Sequence, residues 1–174
     1  MTDLIGEIYN AFEGSENLSE YSSRHGIESA AVLTVTNDEM ADLVAEYLAE
    51  RITGKTVVEI GGGIGLLAFH LSLHAKRVYC IEANPLWASS FVALLLQAKP
   101  KNVSYLFGAA DEFADQIRGD VAIFCTHSGV ESMRCAASLF APVVIDVYGE
   151  IIEANPSAFD SEAVRLRGST AGRT

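Results

Sequence analysis

Between residues 36 and 148 the chain alternates two kinds of hydrophobic pattern. Met40, Leu43, Val44, Tyr47, Leu48 and Ile52 recur at mostly three- and four-residue spacing, the period of an amphipathic helix. Thr36 and Glu39 stand ahead of it in the Thr-x-x-Glu spacing of a capping box, and Gly54 follows as a stop. From Thr56 onward short continuous apolar runs take over. Thr56 to Ile60, Arg77 to Ile81, Asn102 to Phe107, Val121 to Cys125 and Val143 to Val147 read as buried strands. Helical stretches separate them. One runs from Ile64 to Ala75 and is entered through glycines. The next opens on Asn84 as cap with Pro85 at its first position and runs to about Lys99. A short helix is capped by Asp111 and ended by Gly119. Ser128 and Glu131 form a second capping-box pattern, opening a helix to about Leu139.

Five apolar strands alternating with helices predict an α/β domain, a three-layer doubly wound and mostly parallel sheet. Ligands of such sheets bind beyond the carboxyl ends of the strands, where strand order reverses. A chain of 174 residues accommodates one such domain. Residues 31–152 carry it. Residues 1–30 read as an N-terminal helix (Ile5, Ile8, Tyr9 and Phe12 have its spacing) followed by a polar link and a candidate lid segment with Tyr21, Arg24 and His25. Residues 153–174 read as a C-terminal extension or tail.

The segment richest in chemistry is Val57-Val58-Glu59-Ile60-Gly61-Gly62-Gly63-Ile64-Gly65. A strand that turns sharply into a helix needs residues that tolerate positive φ. Three consecutive glycines also leave no Cβ, so a ligand can lie against bare backbone. A turn that only packs helix on strand would use glycines as well. Glu82 is the second signal. It ends the second strand beside that turn, where a carboxylate can accept both hydroxyls of a ribose.

Together these features resemble the class I S-adenosylmethionine-dependent methyltransferases, whose first motif is an acidic residue, a spacer, then Gly-x-Gly-x-Gly. Glu59, Gly61, Gly63 and Gly65 match it, and Glu82 matches the family's ribose-binding acid. The resemblance covers roughly residues 36–149 and speaks to cofactor rather than substrate. It implies that S-adenosylmethionine is the cofactor, held by Glu59, Gly61, Gly62, Gly63, Gly65, Glu82 and Ala83. Glu59 would orient the turn and hold the methionine amino end, partly through water. Ala83 would pack on adenine. The family often has an acid after the third strand; that position aligns with Ala109, so Ala110 and Asp111 are the nearest candidates, Asp111 serving either there or as a helix cap. The family usually adds two strands after the fifth, forming an antiparallel hairpin. The residues left here barely allow one, so the sheet is abbreviated or is completed by a partner chain.

A rival reading uses Gly63-Ile64-Gly65-Leu66-Leu67-Ala68 as the Gly-x-Gly-x-x-Ala fingerprint of an NAD-type enzyme. That register begins two residues late relative to the strand, leaves Glu59 and Gly61 unused, and lacks a second half for a nicotinamide.

Methyl transfer is an in-line displacement that draws much of its acceleration from positioning, so a strong catalytic motif is not required. The candidate base is His127, in Phe124-Cys125-Thr126-His127-Ser128 at the end of the fourth strand, where it could equally be a strand-end polar residue. Asn-Pro-Pro-Tyr, which the family's DNA and glutamine methyltransferases carry here, is absent. His70 and His74 sit one turn apart, but no third ligand accompanies them; they read as helix-face residues. Asp146 lies in or at the end of the fifth strand, where an unpaired charge would be costly.

Charge narrows the partners. Twelve Lys and Arg against 23 Asp and Glu give a net charge of −11, and the cations are scattered, which disfavours a nucleic-acid partner. A small molecule or a protein is the expected substrate. Cys80, Cys125 and Cys135 lack metal-ligand spacing and an even count, which predicts reduced buried thiols, no metal, and a cytoplasmic location. No apolar run is long enough for a membrane span, and the first ten residues do not resemble a secretory signal. An exposed fifth-strand edge would favour a homodimer. The expectation is a methyltransferase; a protein that binds S-adenosylmethionine or S-adenosylhomocysteine without catalysis is the alternative, and an NAD-type enzyme the third reading.

Overall fold

Strand β1 (Thr56–Ile60) sits at the centre of a five-stranded sheet, and its side chains explain why. Successive residues of a strand point to opposite faces. Val57 enters one apolar cluster, while Val58 and Ile60 enter another on the far side. Both faces are therefore covered, which is why the strand reads as a continuous apolar run rather than an alternating one. The computed structural model describes residues 38–83, 87, 91, 92, 95, 96, 99–126 and 129–159.

The other strands are β2 (Arg77–Glu82), β3 (Val103–Phe107), β4 (Val121–Phe124) and β5 (Val143–Asp146). Their order is β3-β2-β1-β4-β5 and every pairing is parallel. The order reverses at β1, between its neighbours β2 and β4. Register fixes what meets there: Glu59 pairs with Cys80, Ile60 with both Ile81 and Phe124, and Phe124 with Asp146.

Helix α1 (Asp38–Ile52) and helix α2 (Leu66–Leu71) cover one face. Helix α1 buries Ala41, Val44, Ala45, Leu48 and Ile52, a stripe at three- and four-residue intervals, and Gly54 ends it with φ 73°. Helices α3 (Ala110–Phe113) and α4 (Val130–Ser138) cover the other face, where Phe124 and Phe140 are fully buried. Full burial of side chains of this size stabilises the fold by roughly 1.5–3 kcal/mol each.

Several boundaries differ from expectation. Helix α2 stops at Leu71 rather than Ala75. Leu73 and His74 form tight three-residue hydrogen bonds to His70 and Leu71, and the Asn102 side-chain amide donates to the carbonyls of Ser72 and Ala75. Those carbonyls are satisfied without a further α-turn. Asp111 does not cap α3; Ala109 does, in extended backbone, and Asp111 lies inside the first turn. Helix α4 starts after Gly129, which stands at its N-cap in left-handed conformation; Ser128 of the expected capping box lies outside the described residues. Thr36, Asn84 and Pro85 also lie outside them, as do the candidate lid residues Tyr21, Arg24 and His25.

β5 ends at Asp146, and Val147 opens a π-helix (Val147–Glu153) followed by helix α5 (Pro156–Phe159). Asp146 accepts the amide of Gly149, which caps that π-turn. No strand follows β5 among the described residues. The thiols divide: Cys80 is buried, but Cys125 is half-buried just past β4 and Cys135 is exposed on α4. The even burial expected of them does not hold, because α4 presents its polar side at Cys135. Among the described residues no helix is long and apolar enough to cross a membrane.

Candidate functional site

The chain leaves β1 through four glycines whose reasons differ. Gly61, Gly63 and Gly65 have φ of 70°, 55° and 78°, values that side chains resist. A Cβ on Gly61 would come within 2.8 Å of Met133 Cε, and one on Gly65 within 2.5 Å of the Phe91 ring. A Cβ on Gly62 would overlap the Cys80 sulfur and lie 3.0 Å from Glu59 Oε2. Among the described residues a Cβ on Gly63 would meet nothing within 4 Å. Gly63 is thus the one of the four that borders open space.

Hydrogen bonds lock the turn to its neighbours. The amides of Gly61 and Gly62 donate to the Ile81 carbonyl at 2.9 and 3.1 Å, and the Gly65 amide donates to Gly62 at 2.8 Å. The Gly63 amide donates to Glu82 Oε2 at 2.8 Å, and the Gly63 carbonyl accepts the Tyr105 hydroxyl at 2.9 Å. All four glycine N–H groups therefore have acceptors within the protein. Glu82 is buried where β2 ends, and its own carbonyl accepts the Gly108 amide at 3.0 Å. That bond draws the end of β3 beside the end of β2. Ala83, half-buried Ala110 and exposed Asp111 stand at this junction.

Glu59 lies beneath the turn and is 4% exposed. Burial pushes its carboxyl up to about 8, with the Glu82 charge adding, while hydrogen bonds from the Cys80 thiol and the Ala68 amide oppose. The Ala68 amide belongs to the first turn of α2, where backbone donors lack helical partners. Among the described residues Glu59 Oε2 has no hydrogen-bond partner. Burial also pushes the Cys80 thiol well up, helped by Glu59, and raises the Tyr105 phenol.

The structure thus brings Glu59, Gly61, Gly62, Gly63, Gly65, Glu82 and Ala83 to one end of the sheet. His127 lies outside the described residues. Sequence reasoning overlooked Cys80, Tyr105 and Phe91. Tyr105 stacks on Phe91 with ring centroids 3.9 Å apart, and Phe91 in turn stacks on Phe69 at 5.5 Å. Strand parity held a signal for Cys80, which shares a face with Glu82 two residues on.

Farther along the same end, Asp146 is 5% exposed. Arg134 approaches Asp146 and Glu150 at 3.7 Å each and covers the Phe124 ring. The charge in β5 is therefore paired. On the opposite flank His70, 7% exposed, is not a plain helix-face residue. Its Nε2 lies 2.7 Å from Asp38 and its Nδ1 3.1 Å from Asp42, pinning α2 to α1. His74 faces Glu46 at 3.4 Å. No cluster of three or more His, Cys, Asp or Glu suited to a metal occurs among the described residues.

A parallel sheet of order β3-β2-β1-β4-β5 with a glycine turn after its central strand is the Rossmann-like fold of the class I methyltransferases. Solved structures that share it include a precorrin-6y C5,15-methyltransferase from Geobacter metallireducens, with a TM-score of 0.55 and 16% identity over 72% of each chain. A candidate RNA methyltransferase from Pyrococcus horikoshii gives a TM-score of 0.51 and 22% identity over 70% of this chain and 65% of that one. A candidate methyltransferase from Escherichia coli gives 0.50 and 16%, over 63% of this chain and 65% of that one. No protein-family model and no curated protein sequence matches the chain.

Proposed function

We propose that this chain binds S-adenosylmethionine at the glycine turn and transfers its methyl group to a small molecule or a protein. The observation that carries this reading is the polarity of the turn. A dinucleotide site turns free backbone N–H groups toward a pyrophosphate. Here the four glycine amides already have acceptors, and the side chains at the turn are the carboxyls of Glu59 and Glu82. Such a turn offers a pyrophosphate no free amide and suits a ligand that is cationic and rich in donors. S-adenosylmethionine carries an ammonium, a sulfonium and two ribose hydroxyls.

The residues fit that ligand. The unpartnered Glu59 Oε2 is a buried acceptor lacking a donor, and such an atom costs roughly 1–3 kcal/mol until one arrives. Gly63 leaves room for a ligand to touch backbone. Glu82 would hold the ribose hydroxyls, exchanging its Gly63 bond for theirs or sharing both. Ala83, Ala110 and Asp111 would flank the adenine. When bound, the sulfonium supplies an activated methyl group. The chain's own contribution is to orient that ligand and to place the acceptor beyond β4 and β5, where Thr126, Arg134 and Asp146 stand. His127 would serve as base if the acceptor must lose a proton.

Calorimetry with S-adenosylmethionine, S-adenosylhomocysteine and NAD tests the cofactor. Binding of the first two and not the third is expected; NAD binding alone would overturn the reading. A labelled-methyl assay with mixed small-molecule and protein acceptors then separates an enzyme from a protein that only binds the ligand.

A further inference from the structure

Glu59 sits among acids. Cys80 and Glu82 face it from β2, Tyr105 from β3, and α2 contributes only the Ala68 amide. The β4 stretch beside it, Val121–Phe124, is apolar. Among the described residues no Lys, Arg or His is one of the groups that act on its carboxyl. A carboxylate cannot remain charged in such a setting without a cation, since burying an unpaired charge costs far more than keeping the proton. Its Oε2, buried and without a partner, lies 3.0 Å from where a Cβ of Gly62 would stand, directly beneath the turn. The proton therefore stays on Glu59 until a positive group reaches the turn.

Resting on the proposed S-adenosylmethionine site, we propose that arrival of the ligand's ammonium at the turn expels the proton of the Glu59 carboxyl to solvent, making the affinity of this site depend on pH. The balance is simple. The free protein carries a neutral carboxyl and the ligand an ammonium. The complex holds a carboxylate paired with that ammonium, and one proton leaves to the buffer. Cys80 supports the charged form by donating its thiol hydrogen to Glu59. The consequence is a site that selects the amino-acid end of the ligand by charge, and not the adenosine part alone.

The test is calorimetry of the full chain in buffers of different ionisation enthalpy, with three probes. S-adenosylmethionine and S-adenosylhomocysteine both carry the ammonium; 5′-methylthioadenosine lacks the amino-acid end. Below neutrality the first two should each release close to one proton per ligand and the third none, and the affinity for S-adenosylmethionine should rise about tenfold from about pH 6 to about pH 7. Glu59→Gln should bind without proton release and without that pH dependence. If S-adenosylmethionine binds with no proton release, or if methylthioadenosine releases as much, the coupling is wrong while the binding reading stands. If none of the three binds, the binding reading itself fails and the coupling with it. The wild-type profile and the methylthioadenosine comparison decide the matter even where the Gln variant does not fold.

Discussion

Glu82 Oε2 accepts the backbone amide of Gly63 at 2.8 Å, so the last side chain of β2 holds the open end of the glycine turn. One carboxylate thus fixes the backbone against which a ligand would lie and faces the place its ribose would take. Glu82→Ala removes both. The affinity for S-adenosylmethionine should fall by about 1.5–3 kcal/mol, the usual cost of losing a charge-assisted pair. Glu82→Gln keeps an acceptor for Gly63 and should lose less. Calorimetry of the three proteins checks this, and unchanged affinity in the Ala variant would refute the ribose assignment.

The glycines of the turn should separate by function. Gly62→Ala drives a methyl group into Cys80 beneath the turn, so its cost is one of folding, on the order of 1–3 kcal/mol for an overpacked site. Gly63→Ala meets no atom within 4 Å and suffers only from its φ of 55°, roughly 1 kcal/mol. Its methyl group points into the space proposed for the ligand. Thermal melts should therefore show the larger loss in Gly62→Ala, while ligand titration should show Gly63→Ala folded and impaired in binding. Equal binding by Gly63→Ala and wild type would move the ligand elsewhere.

The order of the elements was readable because buried parallel strands advertise themselves as apolar runs punctuated by Gly and Pro. The same logic fails at element ends. Nothing local announces that Asn102, far along the chain, satisfies the carbonyls after Leu71 and so ends α2 early. The site was half legible. Glu59, Gly61, Gly63 and Glu82 form a linear motif, but Tyr105 reaches Gly63 only because β3 lies outside β2, which is a fact of topology. The pairing of His70 with Asp38 and Asp42 escaped for the same reason, since α1 precedes α2 by a whole strand.

That pairing makes a prediction of its own. Both ring nitrogens of His70 lie within hydrogen-bond distance of a carboxylate, and the side chain is almost wholly buried. His70→Leu fills similar space but leaves Asp38 and Asp42 without their shared partner. A loss of about 1–3 kcal/mol is expected, or several degrees of melting temperature in a domain of this size. Melts of His70→Leu beside Asp42→Asn, which removes the more exposed and longer contact, should rank His70 as the costlier change. The reverse ranking would show the clamp to be incidental.

Glu59 sets a pH dependence on folding that can be read without any ligand. In the unfolded chain its carboxyl titrates near 4.5; in the fold it titrates at about 8. Between these values the native state keeps a proton that the unfolded chain has already given up. Raising the pH through this window therefore favours unfolding, and the penalty reaches a few kcal/mol once the pH passes the folded value. Below about 4.5 both states are protonated and Glu59 contributes no slope. Glu59→Gln cannot ionise, so its stability should match the wild type in acid and exceed it above about pH 8. Urea unfolding at several pH values distinguishes the two proteins, and parallel curves would mean that Glu59 is ionised in the free fold.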